Sequence, residues 1–403
     1  MPPSPITRAE ISRSRLVGNF QRLRSLARSN SNDECCDLLA VVKADAYGHG
    51  VSLCAPWLAE AGAEWLGVTS AEEGVAVRRL CPQSNILVMR GLLAGEAEML
   101  LDANLAPTIW DHEHLQLLED AVLRQQLAAG SIPVHLEIDT GMSRQGLPCT
   151  ASEVEKFLDH LREIPALRLD GVYTHFASPE MLDTEQNSQQ MARFQQVVEL
   201  IYTAGFRPQW LHAGNSSSVL GQQLAEPLAA LAARRGGGAR CMIRPGIALY
   251  GYASRFVGEQ AATAEAARAA MQPVLTWKTA IASLRTVEAG SCIGYNATFV
   301  APKKMQLALL PVGYADGLNR KLSNRGHVLV HGVASPIVGR ISMDLTVVDV
   351  SHVPNAKIGD EVVLLGEQNG LRVTAADHAG WAETIPYEIL CAISARVPRV
   401  PGA

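Results

Sequence analysis

The most constraining feature of this chain is a repeated alternation. Short apolar, β-branched runs recur at residues 38–43, 64–69, 85–90, 106–110, 133–139, 169–176, 210–215 and 242–249. Most are separated by stretches with apolar residues at three- and four-residue spacing, such as 51–62, 151–164 and 188–204. The first pattern reads as strand and the second as helix. Strands that are apolar nearly throughout belong to a parallel sheet covered on its outer face, and eight such strand–helix units are the number that closes a barrel. An open doubly wound sheet is the alternative. Residues 8–27 read as an added N-terminal helix that caps one side of the barrel.

The texture changes after Tyr252. Residues 258–270 form an alanine-rich surface connection with a helical turn, and 274–365 alternate in the manner of strands. Gly290, Gly313, Gly317, Gly326, Gly332, Gly339 and Gly359 punctuate that stretch at turn-like intervals. The expected architecture is therefore α/β: a (β/α)8 barrel over residues 10–255 and a mainly-β domain over 256–403, with residues 1–9 packing on the second. Residues 236–238 are expected to be a loop. A chain of 403 residues, 48% hydrophobic and 19% charged, has the apolar material for both cores.

A net charge of -5 argues against a general nucleic-acid binder. No apolar run approaches the roughly 18 residues of a membrane helix, and the first fifteen residues are polar and broken by prolines, unlike a signal peptide. A cytoplasmic location is expected. Eight cysteines without a Cys-x-x-Cys pair fit reduced thiols better than disulfides or a zinc site. Basic charge is uneven, with 28 Arg against seven Lys. A lysine in an apolar strand is therefore conspicuous.

In a parallel barrel the active site forms at the C-terminal strand ends. Lys43 closes the first such run, after five apolar residues, where apolar walls and the cations Arg144 and Arg244 would depress its pKa as a Schiff-base lysine needs. Alone, it reads equally well as a strand-end lysine that snorkels to solvent. Asp139 to Arg144, Thr174 with His175, His212 with Asn215 and Ser216, and Arg244 to Ile247 make other strand ends polar. Hydroxyls at Tyr47 and Ser216, with the backbone amides of Gly246 and Ile247, would suit a phosphate.

The run Ala40-Val-Val-Lys-Ala-Asp-Ala-Tyr-Gly-His-Gly50 resembles the signature of the alanine racemases, pyridoxal-phosphate enzymes built from an eight-stranded barrel and a β domain. Asp139-Thr-Gly-Met-Ser-Arg144, Tyr173-Thr-His-Phe176, His212-Ala-Gly-Asn-Ser216 and Arg244-Pro-Gly-Ile247 follow in the family's order. So do Gly294-Tyr295, Gly313-Tyr-Ala-Asp-Gly317, Gly339-Arg-Ile-Ser-Met-Asp344 and Thr384-Ile-Pro-Tyr-Glu388. The resemblance spans nearly the whole chain.

It implies that Lys43 carries the pyridoxal 5'-phosphate, that Tyr47, Ser216, Gly246, Ile247 and Tyr387 hold its phosphate, and that His212 and Asn215 also belong to the cofactor site. Arg244 would donate to the pyridine nitrogen, and an arginine that keeps its proton leaves the cofactor a weaker electron sink. Racemisation needs a base on each face of the substrate. The resemblance assigns one to Lys43 and the other to Tyr295, reaching in from the second subunit of a homodimer. A phenol has a reference pKa near 10, so acting at neutral pH requires lowering it by about three units, or about 4 kcal/mol, with help from His175. Arg144 and the Met343 amide would meet the substrate carboxylate, with Asp344 beside them, while Tyr314 and Tyr387 narrow the pocket to a small side chain. Arg320, Arg340, Glu180 and Ile385 match the family's outer entry ring.

Two positions depart from the pattern. The family commonly has a carbamate-modified lysine two residues before Asp-Thr-Gly, and here Glu137 stands there, an anion able to steady Arg144 without carbon dioxide. Asn296 follows Tyr295 where glycine is usual. Other clusters are weaker: residues 111–114 look like ligands but begin a helix, where capping is their ordinary role, and His327 with His331 lacks a third partner. Cys35-Cys36 is too close for zinc geometry, and no metal is expected. The expected function is interconversion of L- and D-alanine, supplying D-alanine for peptidoglycan. A serine or broad-specificity racemase is the nearest alternative; a barrel-type decarboxylase and a non-catalytic pyridoxal-phosphate-binding protein are the others.

Overall fold

The computed structural model describes residues 5–29, 36–222, 225–233, 238–259 and 261–402. Residues 1–4, Cys35, and Gly236 and Gly237 of the expected loop lie outside them. Chain contacts divide the molecule into two units: a barrel unit of residues 16–44 and 54–272, and a β unit of residues 1–15, 45–53 and 273–403.

Eight parallel strands build the first unit: β1 (Cys36–Val41), β2 (Trp65–Val68), β3 (Asn85–Val88), β4 (Ala106–Ile109), β5 (Ile132–Asp139), β6 (Leu167–Thr174), β7 (Trp210–His212) and β8 (Arg240–Ile243). Each pairs with the next, and β8 pairs with β1, which closes the barrel as the alternation predicts. All eight strands have at least three consecutive buried residues, because helices cover the outer face while side chains fill the interior. Intervening helices start where capping chemistry allows. Ser70 and Asp111 each accept a backbone N–H at the start of Ala71–Leu80 and His112–Gln125, which gives Asp111 its expected capping role.

The N-terminal segment differs from expectation. Arg8–Ile11 is a strand, and the helix runs only over Arg13–Ser29. The four residues alternate half-buried and buried, and they pair with Leu275–Ala280 on one side and Arg399–Pro401 on the other. Within the barrel unit the helix is fixed by Asn19, whose amide donates to Leu249 O and Gln272 O at 3.0 and 2.8 Å.

In the β unit, Arg8–Ile11 lies in a sheet with Leu275–Ala280, His327–Val330, Val333–Pro336, Glu361–Gln368, Leu371–Val373 and Arg399–Pro401. Trp277, Val328, Val362 and Val363 are buried within it, the last two on opposite faces of one strand. Ser283–Val287, Met305–Leu310 and Thr346–Asp349 make a second antiparallel sheet. Two short helices, Ala375–Ala382 and Pro386–Cys391, follow the strands.

Candidate active site

Polar residues enter the barrel core by strand alternation. On β5, His135 and Glu137 are two apart and both buried among the strands, although the run around them is otherwise apolar. The register sets His135 beside Gly171 of β6, and Glu137 beside Tyr173, which in turn lies beside His212 of β7.

Arg244 is the hub. It follows β8, is 4% exposed, and its guanidinium lies over the Tyr173 ring at 4.6 Å. Nη2 donates to Thr174 O at 2.7 Å and to His175 Nδ1 at 3.2 Å, and Nη1 donates to His212 Nδ1 at 3.2 Å. A guanidinium only donates, so both histidines must accept at Nδ1 and carry their proton on Nε2. Burial, with the charges of Arg244, Arg144 and Lys43, holds His175 well below the usual imidazole range. Burial and Arg244 do the same to His212, aided by His135. Both rings are neutral at physiological pH.

Glu137 accepts from Tyr173 OH at 2.8 Å and from Gln145 Nε2, whose amide also donates to Met89 O at 3.0 Å. Burial lifts its carboxyl above the ordinary range, opposed by those hydrogen bonds and by the charges of Arg244 and Arg144. Among the described residues no hydrogen bond or ion pair joins Glu137 to Arg144. The loop carrying Arg144 is instead set by Asp139, whose Oδ1 accepts the backbone amides of Gly141, Met142 and Ser143 at 2.9, 3.0 and 3.1 Å. Ser143 takes a left-handed φ of 57°, and Arg144 projects exposed beyond it.

Lys43 stands half-buried just beyond β1. Asn215 caps the helix Ser216–Gly221 by accepting from Ser217 N and Ser218 N. Ser216 Oγ accepts from the amides of Gly246 and Ala248 at 3.0 and 3.1 Å, which brings the start of that helix against the turn Ile247–Tyr250. With two amides on its oxygen, the hydroxyl proton of Ser216 is available to an outside acceptor.

In the β unit, Ala46 and Tyr47 belong to a turn in which Ala44, Asp45, Ala46 and Tyr47 all have φ between 52° and 56°. His49 pins it, donating from Nδ1 to Ala46 O and Tyr47 O at 3.1 and 2.9 Å. Gly48 then passes so close to the Pro386–Cys391 helix that a Cβ would lie 2.2 Å from Leu390 O. The rings of Tyr47 and Tyr387 are 6.1 Å apart. Burial raises the Tyr47 pKa, so its phenol stays protonated and can donate.

Tyr295 is 69% exposed on a short turn, and Asn296 adopts φ 60° there, a left-handed conformation that Asn tolerates better than most residues. The expected glycine position is thus a turn requirement met by Asn. Asp316 Oδ2 accepts the Gly313 amide, and Tyr314 N and Ala315 N donate to Ser342 O and Met343 O, so the Gly313–Gly317 loop and Met343 are tied together. Tyr314, Met343 and Ile385 are exposed. Asp344 pairs with Arg396 at 2.9 Å. Arg320 is exposed and Arg340 half-buried in the same unit, while Glu180 lies in the barrel unit, its carbonyl accepting Val257 N.

Thr108, His135, Tyr173 and Gln145 join this network without having been singled out for roles from sequence. The signal for His135 was available: a strand with His135, Glu137 and Asp139 at period two aims three polar side chains the same way. Among the described residues no group of three or more His, Cys, Asp or Glu is placed to hold a metal, and no helix is long and apolar enough to cross a membrane.

Family models for the alanine racemase N-terminal and C-terminal domains match residues 11–254 and 274–401. The chain is 39% identical to the alanine racemase of Geobacter sulfurreducens, over 91% of this chain and 90% of that protein. The alanine racemase structure from D-cycloserine-producing Streptomyces lavendulae is 30% identical with a TM-score of 0.85, covering 100% of this chain and 98% of that one. The alanine racemase from Bartonella henselae, with covalently bound pyridoxal phosphate, is 25% identical with a TM-score of 0.79, covering 98% of this chain and 99% of that one. With both domain models matched in order and relatives aligned nearly end to end, the chain belongs to the alanine racemase family of isomerases.

Proposed function

We propose that this protein interconverts L- and D-alanine with pyridoxal 5'-phosphate as cofactor, acts as a cytoplasmic homodimer with sites completed by the second subunit, and supplies D-alanine for peptidoglycan. The observation that carries the reading is the anchored Arg244. Three of its N–H groups are spent on Thr174, His175 and His212, and Nε–H with one Nη1–H remain for a ligand. A donor that never surrenders its proton suits a neutral pyridine nitrogen. The Gly246 amide, expected to meet the phosphate, donates to Ser216 Oγ instead; the Ser216 hydroxyl and the Ile247 amide are the donors offered to a phosphate dianion, and they fit the cofactor.

Lys43, Tyr47, His212, Asn215, Ser216, Arg244, Gly246, Ile247 and Tyr387 are the residues that would hold it. When bound, the cofactor supplies an aldehyde for amine condensation and an electron sink that acidifies the substrate α-carbon. Arg144 and the amide of Met343 bind the substrate carboxylate, and Tyr314 limits its side chain. Asp344 and Glu137 support that pocket. Lys43 holds or returns the α-proton at its amine on one face, and Tyr295 does so at its phenol oxygen on the other. His175 is neutral, with its proton on Nε2 because Nδ1 accepts from Arg244, and it assists Tyr295.

The test is optical rotation of L-alanine and of L-serine, each incubated with purified protein loaded with pyridoxal phosphate. Decay of the L-alanine signal towards zero is expected, with little change for L-serine. Gas release would redirect the assignment to a decarboxylase, and no turnover of either to a binding role. Lys43→Ala should abolish the visible absorption of bound cofactor, and a retained band would overturn the role given to Lys43.

A further inference from the structure

The hydrogen bonds around Arg244 do not stop at His212. His212 Nε2 meets His135 Nδ1 at 2.9 Å, with both rings fully buried and roughly perpendicular at 71°. Because Arg244 Nη1 can only donate, His212 Nδ1 accepts and its proton lies on Nε2, where His135 Nδ1 is the acceptor. The donor direction is therefore Arg244 to His212 to His135.

The opposite tautomer of His212 would turn its Nδ1–H against the Nη1–H of Arg244, two donors 3.2 Å apart. The strand pairing prepares the place for the acceptor. Gly171 lies beside His135, and a Cβ there would sit 2.3 Å from Nδ1 and 2.5 Å from Cε1, so only glycine leaves room for the ring. Trp65 meets the same ring edge-on at 5.0 Å. With Nδ1 accepting, the single proton of neutral His135 lies on Nε2, which is buried and has no hydrogen-bond partner among the described residues, so the His212 contact is the ring's one polar bond there.

We propose that His135 is a positioning residue: by accepting the Nε2 proton of His212 it locks the tautomer whose Nδ1 accepts from Arg244, and so fixes where the guanidinium aims its remaining N–H groups. Burial, with the charge of Arg244, holds the His135 pKa down to about 3, which keeps Nδ1 a lone-pair acceptor at physiological pH. The catalytic consequence rests on the role proposed above for Arg244. The tautomer itself does not.

The variants His135→Asn and His135→Leu separate the acceptor from the volume, since the Asn carbonyl can stand where Nδ1 does and Leu offers no acceptor. In 15N-histidine NMR of the cofactor-loaded protein, His212 should be a neutral Nε2–H tautomer in the parent and in His135→Asn. In His135→Leu it should shift towards the Nδ1–H form. With L-alanine, His135→Leu should lower kcat about tenfold or more with KM changed less than about twofold, and His135→Asn should restore most of the loss. If His212 keeps the Nε2–H form in His135→Leu, or both variants lose activity equally with the tautomer intact, His135 only packs and the proposal fails. Should His135→Leu not fold, an Nδ1–H His212 in His135→Asn overturns the proposal on its own. Absence of racemisation in the parent would instead refute the function, leaving the tautomer readout standing.

Discussion

Glu137 illustrates how a single residue takes its chemistry from its neighbours. Its position two residues before the Asp-Thr-Gly motif made it a candidate to steady Arg144, yet its hydrogen-bond partners are Tyr173 and Gln145. Any effect on Arg144 acts through charge across space rather than through a contact. Glu137→Gln removes that charge and keeps the shape. We expect the KM for L-alanine to rise roughly threefold, as befits a charge interaction in which the buried carboxylate faces an exposed, solvent-screened guanidinium without contact. An unchanged KM in steady-state assays would remove Glu137 from substrate binding. The same neighbours explain why this part of the site was only partly legible. The motif marked Glu137 and Arg144 by their order in the chain, whereas Gln145 and Thr108 acquire meaning only when the strands β4, β5 and β6 and the loop after β5 are placed side by side.

At the scale of the element, the turn after Lys43 is the least legible feature of the chain. Ala44, Asp45, Ala46 and Tyr47 have no glycine among them, and their composition reads as ordinary helix, yet all four are left-handed. Such a conformation costs on the order of 1 kcal/mol per residue and persists only where surroundings enforce it. His49 and Asp45 do so: His49 donates to two carbonyls of the turn, and Asp45 accepts Val51 N at 2.7 Å through Oδ1 and Gly50 N at 2.9 Å through its carbonyl. Ala44 is exposed, so Ala44→Gly relieves strain without removing packing and should stabilise the fold by up to about 1 kcal/mol. His49→Leu removes the pin and should destabilise it by about 2 kcal/mol while weakening cofactor affinity. Urea titration of both variants checks the pair, and a lower midpoint for Ala44→Gly would show that the turn is not strained. The strands, by contrast, were legible because burial on both faces forces a continuous apolar run. Arg8–Ile11 escaped for the converse reason: four residues carry too little periodicity, and their pairing partners, Leu275–Ala280 and Arg399–Pro401, are remote in sequence.

Across the whole molecule, both units bury histidines that must stay neutral. His135, His175 and His212 lie in the barrel unit, and His49 and His378 in the β unit. Burial is the leading cause in every case, holding His49 and His378 to about 4 and His135 to about 3. The sign of the effect follows from proton binding. Above the ordinary imidazole pKa of about 6.5 neither state holds the proton, and these groups leave stability independent of pH. Below it the unfolded chain takes up protons that the folded chain refuses, so stability falls until the folded pKa is reached. The window therefore runs from about 6.5 to about 4 for His49 and His378, and on to about 3 for His135. By pH 5 each of His49, His378 and His135 would subtract about 2 kcal/mol, with His175 and His212 acting in the same direction. Glu137 works in the opposite sense, because its raised pKa makes the folded state bind protons more readily on acidification, but it is one group against five. The urea midpoint should consequently hold steady between pH 8 and 7 and drop sharply between pH 6 and 5. His378→Asn should flatten part of that drop, since its replacement has no proton to gain. A midpoint that stays level down to pH 5 would mean that these rings are protonated in the folded state, and with them the tautomers assigned around Arg244 would have to be abandoned.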